Sequence, residues 1–146
     1  NIARDLHAAF EAIHAKRWDT FSRKEFAHEL TLSFSKIWQT HPFREGNTRT
    51  VVMMMTFFVE EHGYYMDQEL MAQSAGYVRD SFVMASLDQF SEYEHLEKIL
   101  LDAICDEPVE YDPDLPDNDS KEQIPERYRK YQREKYTPEP HYQREE

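Results

Sequence analysis

Apolar residues recur at steps of three and four through most of the first 105 residues, and this spacing restricts the chain to packed helices. Ile2, Leu6, Phe10 and Ile13 fall on one face of a first helix. Phe26, Leu30, Phe34, Ile37 and Trp38 do the same for a second helix that runs to Gln39, with Ser22 or Thr20 as its cap. The stretch from Val51 to Val59 is apolar almost all round, with Met53, Met54, Met55, Phe57 and Phe58, which predicts a helix at the buried centre of the domain. His62-Gly63 closes it, the glycine acting as a left-handed C-cap. Asp67 caps a fourth helix carrying Leu70, Met71, Ala75, Val78, Phe82 and Val83, with Gly76 and nearby serines weakening its continuity. A last core helix holds Leu96, Ile99, Leu100, Ala103 and Ile104, and Pro108 stops it. Alternating β-branched runs and Asn-Gly turns are missing, so the expected fold class is all-α.

A chain of 146 residues with 40% apolar content can bury one modest core plus an appendage. Residues 1–105 form the expected core. From Asp106 the composition shifts: the next 15 residues, to Ser120, hold three prolines and many acids, the signature of a linker or extended arm. Pro125 can open a short helix that continues from Glu126 to Tyr136. Its Tyr128, Arg129, Tyr131, Arg133 and Tyr136 either dock on a partner or on this domain, or sit on a solvated helix. The 29 acids outnumber the 17 lysines and arginines and give a net charge of −12, which argues against a nucleic-acid partner. The sequence contains neither a 20-residue apolar span nor a secretory leader pattern, so the expectation is no membrane partner and a cytoplasmic location. The single cysteine, Cys105, lies in an apolar helical stretch and reads as a buried, inert thiol.

Chemistry concentrates between the second and third helices, in His41-Pro42-Phe43-Arg44-Glu45-Gly46-Asn47-Thr48-Arg49. Pro42 disfavours helical geometry at His41, so the imidazole can project from a helix end into a cleft. With an ordinary pKa of about 6.5 it can accept a proton from a hydroxyl at neutral pH. Phe43 anchors the loop on the core. Glu45 offers a hard carboxylate oxygen of the kind Mg²⁺ shares with substrate phosphates. Gly46 and Asn47 tolerate the positive φ that turns successive amides toward one point, where the next helix aims its positive dipole end. Arg49, one turn into that helix, can fork onto phosphate oxygens. His7, His14, His28, His62, His95 and His141 lack comparable neighbours and read as structural or solvated. Neither a Gly-x-Ser-x-Gly elbow nor a Walker glycine loop occurs.

This run resembles the signature of the Fic domain, within the wider Fic and Doc group, HPFx(D/E)GN(G/K)RxxR. Gly63-Tyr64 and Tyr77-Val78-Arg79-Asp80 look like further landmarks, extending the resemblance over roughly residues 2 to 105. It implies a Fic-type helical bundle with its active-site loop between two central helices, acting as a protein adenylyltransferase. Such an enzyme, an AMPylator, moves AMP from ATP onto a Ser, Thr or Tyr hydroxyl of a target protein. By the same resemblance His41 is the general base, Glu45 the Mg²⁺ ligand, and Gly46, Asn47 and Thr48 the lining of the anion hole. Arg49 contacts distal phosphate, Phe43 fastens the loop, and Tyr77 lies near the nucleobase.

Two positions depart from the signature. Thr48 stands where glycine or lysine is usual, and Val52 replaces the second arginine, which in the family grips the terminal phosphates and pairs with an inhibitory glutamate. An inhibitory Ser/Thr-x-x-x-Glu-Gly/Asn motif is missing as well. These departures keep open Doc-like phosphorylation or another transfer from a nucleotide donor, and a degenerate domain that only binds. They also leave room for an antitoxin or other regulatory partner. The resemblance places a target-clamping flap ahead of the first helix and so not in this chain, which is expected either to belong to a longer protein or to lack that element.

Overall fold

The computed structural model describes residues 1–40, 46–110 and 126–133. Helices α1 (Ile2–Ala15), α2 (Arg23–Gln39) and α3 (Asn47–Glu61) come first. Strand β1 (Tyr65–Met66), α4 (Gln68–Gln73), α5 (Ala75–Met84), α6 (Glu94–Ala103), β2 (Ile104–Cys105) and α7 (Glu126–Arg133) follow. The fold is all-α apart from one antiparallel ladder that pairs Tyr65 with Cys105 and Met66 with Ile104. Among the described residues no helix is long and apolar enough to cross a membrane.

The centre belongs to α2, which packs against α1, α3 and α6. It starts sharply because Ser22 and Glu25 form a capping box: the Ser22 hydroxyl accepts from Glu25 N–H at 3.1 Å, and the Glu25 carboxylate accepts from Ser22 N–H at 2.8 Å. Phe26, Leu30, Phe34 and Ile37 are buried on it, as are the smaller Ala27, Thr31, Ser33 and Ser35. Small side chains on such a helix let neighbours approach from more than one side. The Thr31 hydroxyl is satisfied inside its own helix, donating to the Ala27 carbonyl at 2.8 Å. Arg23, the first residue of α2, donates through its guanidinium to the carbonyls of Leu101 and Ile104, placing a cation at the C-terminal end of α6.

Several expectations are corrected. The all-apolar α3 is not the buried centre: it buries Val51, Met55 and Val59 but leaves Met53 53% and Phe57 65% exposed. The fourth helix divides at Ser74 into α4 and α5, although Asp67 does cap its start, accepting from Leu70 N–H at 3.1 Å. The last core helix ends at Ala103, five residues ahead of Pro108, because Ile104 and Cys105 turn extended to pair with β1. Cys105 is therefore a half-buried strand residue, its thiol directed to the Ala103 carbonyl at 3.6 Å. Of the two candidate caps for α2, Thr20 instead ends a short 3₁₀ turn, Trp18–Thr20. That turn carries Trp18 into the core, where its indole donates to the Ile13 carbonyl at 2.8 Å and its ring meets Phe26 and Phe58 edge-on at 5.1 and 4.8 Å.

The helix of the C-terminal arm docks on this domain. Tyr131 is 2% exposed, its ring lies 4.7 Å from that of Tyr77, and its hydroxyl donates to the Lys98 carbonyl and the Asp102 carboxylate. Lys130 adds an ion pair to Asp102 at 3.1 Å. Truncating a buried aromatic typically costs about 3–5 kcal/mol, so Tyr131→Ala should lower the free energy of unfolding in urea by roughly that amount. An unchanged midpoint would mean that α7 contributes nothing to the core.

Candidate active site

The C-terminal end of α2 and the N-terminal end of α3, which flank the segment that the sequence singles out, meet through Trp38 and Thr48. His41, Pro42, Phe43, Arg44 and Glu45 lie outside the described residues, so the site is built here from the stems of that loop. The second stem opens at Gly46, which caps α3 in the left-handed conformation (φ 72°, ψ 23°). A side chain there would be strained by the backbone alone, which is why glycine suits the position. Asn47, expected to share the positive φ, instead begins the helix with ordinary geometry.

The Gly46 carbonyl accepts the first ladder bond of α3, from Thr50 N–H at 3.0 Å. The amides of Thr48 and Arg49 precede that bond and point out of the helix end, as first-turn amides do. The first turns of α1, α2, α4 and α6 carry an acid; that of α3 carries none and bears Arg49 instead. Its own first turn thus places no carboxylate on the positive end of the dipole, a setting that suits an anion. The Thr48 hydroxyl accepts from the Trp38 indole N–H at 3.0 Å.

From Thr48 and Arg49 a groove of about 580 Å³ runs along α3 past Val52, Met53, Thr56 and Phe57 to Glu60. Its far wall is Gln68, Met71 and Ala72 of α4 and Ala75, Val78 and Arg79 of α5. The exposed apolar stripe of α3 is thus one side of a concave surface that starts at the helix dipole. Small-molecule sites have this character: mostly apolar walls, a few charged groups, and volumes of about 300–1,000 Å³.

Residues 1–59 match the model of the Fic/DOC family. That stretch is similar to the Fic/DOC family. The matched span covers α1, α2, the loop and α3 almost to its end, the elements that build the anion-facing stem. Fic domains are generally transferases of nucleotidyl or other phosphate-containing groups. No curated protein and no solved structure matches the chain. Gly63-Tyr64 and Tyr77 to Asp80 lie beyond the matched span.

Of the Fic residues assigned from the sequence, Gly46, Asn47, Thr48 and Arg49 come together at the head of α3. Tyr77 is placed elsewhere: it is buried, its hydroxyl donates to the His95 carbonyl at 2.9 Å, and its ring faces Tyr131. Its neighbours Val78 and Arg79, one and two residues on, line the groove instead. Met53 and Phe57, expected in the core, lie on a stripe apart from Val51, Met55 and Val59, a separation that their positions along the helix already encode.

The other described histidines have local partners. His28 meets Glu97 at 2.7 Å, His7 meets Glu11 at 3.2 Å, and His62 and His14 each engage a carbonyl one turn back at 2.9 Å. His95, with Glu92 and Glu94, brings ligand-type atoms within 4.8 Å of one another at the start of α6, in a partly exposed acidic setting. His141 lies outside the described residues.

Asp80, beside the groove residue Arg79, holds its proton above the ordinary carboxylate value of 3.8, because burial penalises its charged form more than Arg79 favours it. The unfolded carboxyl ionises first, so stability is fully present below 3.8 and is lost as pH rises through the higher folded value. Asp80→Asn removes this titration. Melting of the variant should lie above wild type at neutral pH and converge with it below pH 3.8; a lower melting temperature at neutral pH would contradict the burial cost.

Proposed function

We propose that this domain is a protein adenylyltransferase, transferring AMP from ATP to a Ser, Thr or Tyr hydroxyl of a target protein. The observation that carries the reading is the continuity of the anion-facing head of α3, at Gly46 to Arg49, with the apolar groove beyond it. Such a surface suits a molecule with phosphates at one end and a flat, weakly polar ring at the other. The sequence HPFREGN ahead of it supplies the remaining chemistry.

His41 takes the proton from the target hydroxyl, whose oxygen forms a bond to the α-phosphorus of ATP. The bond from that phosphorus to the oxygen bridging the α and β phosphates breaks, and pyrophosphate leaves. Arg49 and the first amides of α3 offset charge on the phosphates. Glu45 has the hard oxygen donor that suits Mg²⁺, and a bound Mg²⁺ would neutralise the departing pyrophosphate. The cytoplasm supplies the ATP, and an antitoxin-like protein is the regulatory partner this reading implies.

One observation favours a second reading. Val52 lines the groove three residues from Arg49, where the Fic signature has an arginine, so the terminal phosphates of ATP lose one expected grip. A donor bound in another orientation would deliver its γ-phosphoryl group, as in Doc-like phosphorylation. ATP labelled separately at the α and γ phosphates, incubated with the protein, Mg²⁺ and cell lysate, decides between them. Adenylyl transfer predicts protein bands labelled from α alone, with His41→Ala slower by about 10²–10⁴-fold. Label arriving only from γ would overturn it, and no labelling from either would leave a binding module.

A further inference from the structure

We propose that Trp38 is a positioning residue for the transfer reaction, its indole N–H on the Thr48 hydroxyl bracing the end of α2 against the head of α3. This inference rests on the transferase reading for its kinetic consequence, though the brace itself can be tested without it. Trp38 sits in the last turn of α2, three residues ahead of His41, and Thr48 is the second residue of α3. Their hydrogen bond, at 3.0 Å between residues ten apart in the chain, joins the end of α2 to the head of α3. It ties the helix that leads into the base to the helix whose amides face the phosphates.

The indole is itself held. It stacks on the Phe82 ring of α5, with centroids 5.7 Å apart and planes inclined by 12°, and Phe82 is fully buried. Three helices therefore meet at one side chain, and packing on Phe82 helps to aim the donor N–H. Thr48, a departure from the glycine or lysine of the signature, acquires a reason: the hydroxyl is the acceptor that the indole needs. Transfer requires the base and the anion site to hold a fixed spacing, and a displacement of about 1 Å between reacting groups can cost on the order of 10²-fold in rate.

The test is a double-mutant cycle. Trp38→Phe keeps an aromatic ring on Phe82 and removes the donor, while Thr48→Val keeps the shape and removes the acceptor. Each single variant should lower kcat for target labelling about tenfold, with a smaller change in KM for ATP, and the double variant should be no slower than the slower single. Hydrogen exchange at the amides of residues 46–50 should quicken about tenfold in all three, with global stability falling less than this local protection. A double variant as slow as the product of the two single effects would overturn the coupling, as would unchanged exchange at 46–50. If wild type transfers no label, the transferase reading fails and the exchange measurement alone decides the brace. If Trp38→Phe does not fold, as judged by circular dichroism, Thr48→Val decides it by the same local exchange.

Discussion

Enclosure of α2 by α1, α3 and α6 is the constraint from which the site follows. A helix covered on three sides cannot slide or fray without exposing Phe26, Leu30, Phe34 and Ile37, so both of its ends are fixed. Its start is locked by the Ser22–Glu25 box, and the guanidinium of Arg23 reaches the end of α6. Its other end delivers the chain to the reactive loop at a defined place.

The third helix divides its apolar residues between two tasks. Val51, Met55 and Val59 face α2 and the core, whereas Val52, Met53 and Phe57 face the groove shared with α4 and α5. The break at Ser74 matters to the second task. It lets α4 and α5 present Met71, Ala72, Ala75 and Val78 as a bent wall that no single straight helix would form. Docking of α7 through Tyr128 and Tyr131 supports that wall from behind. The groove and the helix dipole thus become one continuous surface, apolar along its length and electropositive at its head.

How far this was legible in the sequence depends on the range of the interaction that decided each feature. The bounds of α2 and the cap at Asp67 were readable because capping is local, written in residues three apart. The left-handed Gly46 was equally readable, since a glycine ahead of a helix start admits few alternatives. The mistaken centre has a different origin. An apolar residue on α3 looks the same whether it meets another helix or a groove, and only tertiary placement separates Met53 from Met55. The two-residue ladder leaves no periodicity to detect, and Tyr77 turned inward because α6 and α7 offered its hydroxyl and ring partners that its own segment could not reveal.

The central claim is that the head of α3 and the groove behind it receive a nucleotide. Titration of the isotopically labelled protein with Mg²⁺ and a non-hydrolysable ATP analogue, followed by amide and methyl NMR, tests this most directly. The account predicts saturable shifts at the Gly46 to Arg49 amides together with the Met53 and Met71 methyl groups, weakened in Arg49→Ala. Saturable binding whose shifts fall elsewhere, or no binding at millimolar analogue, would contradict it.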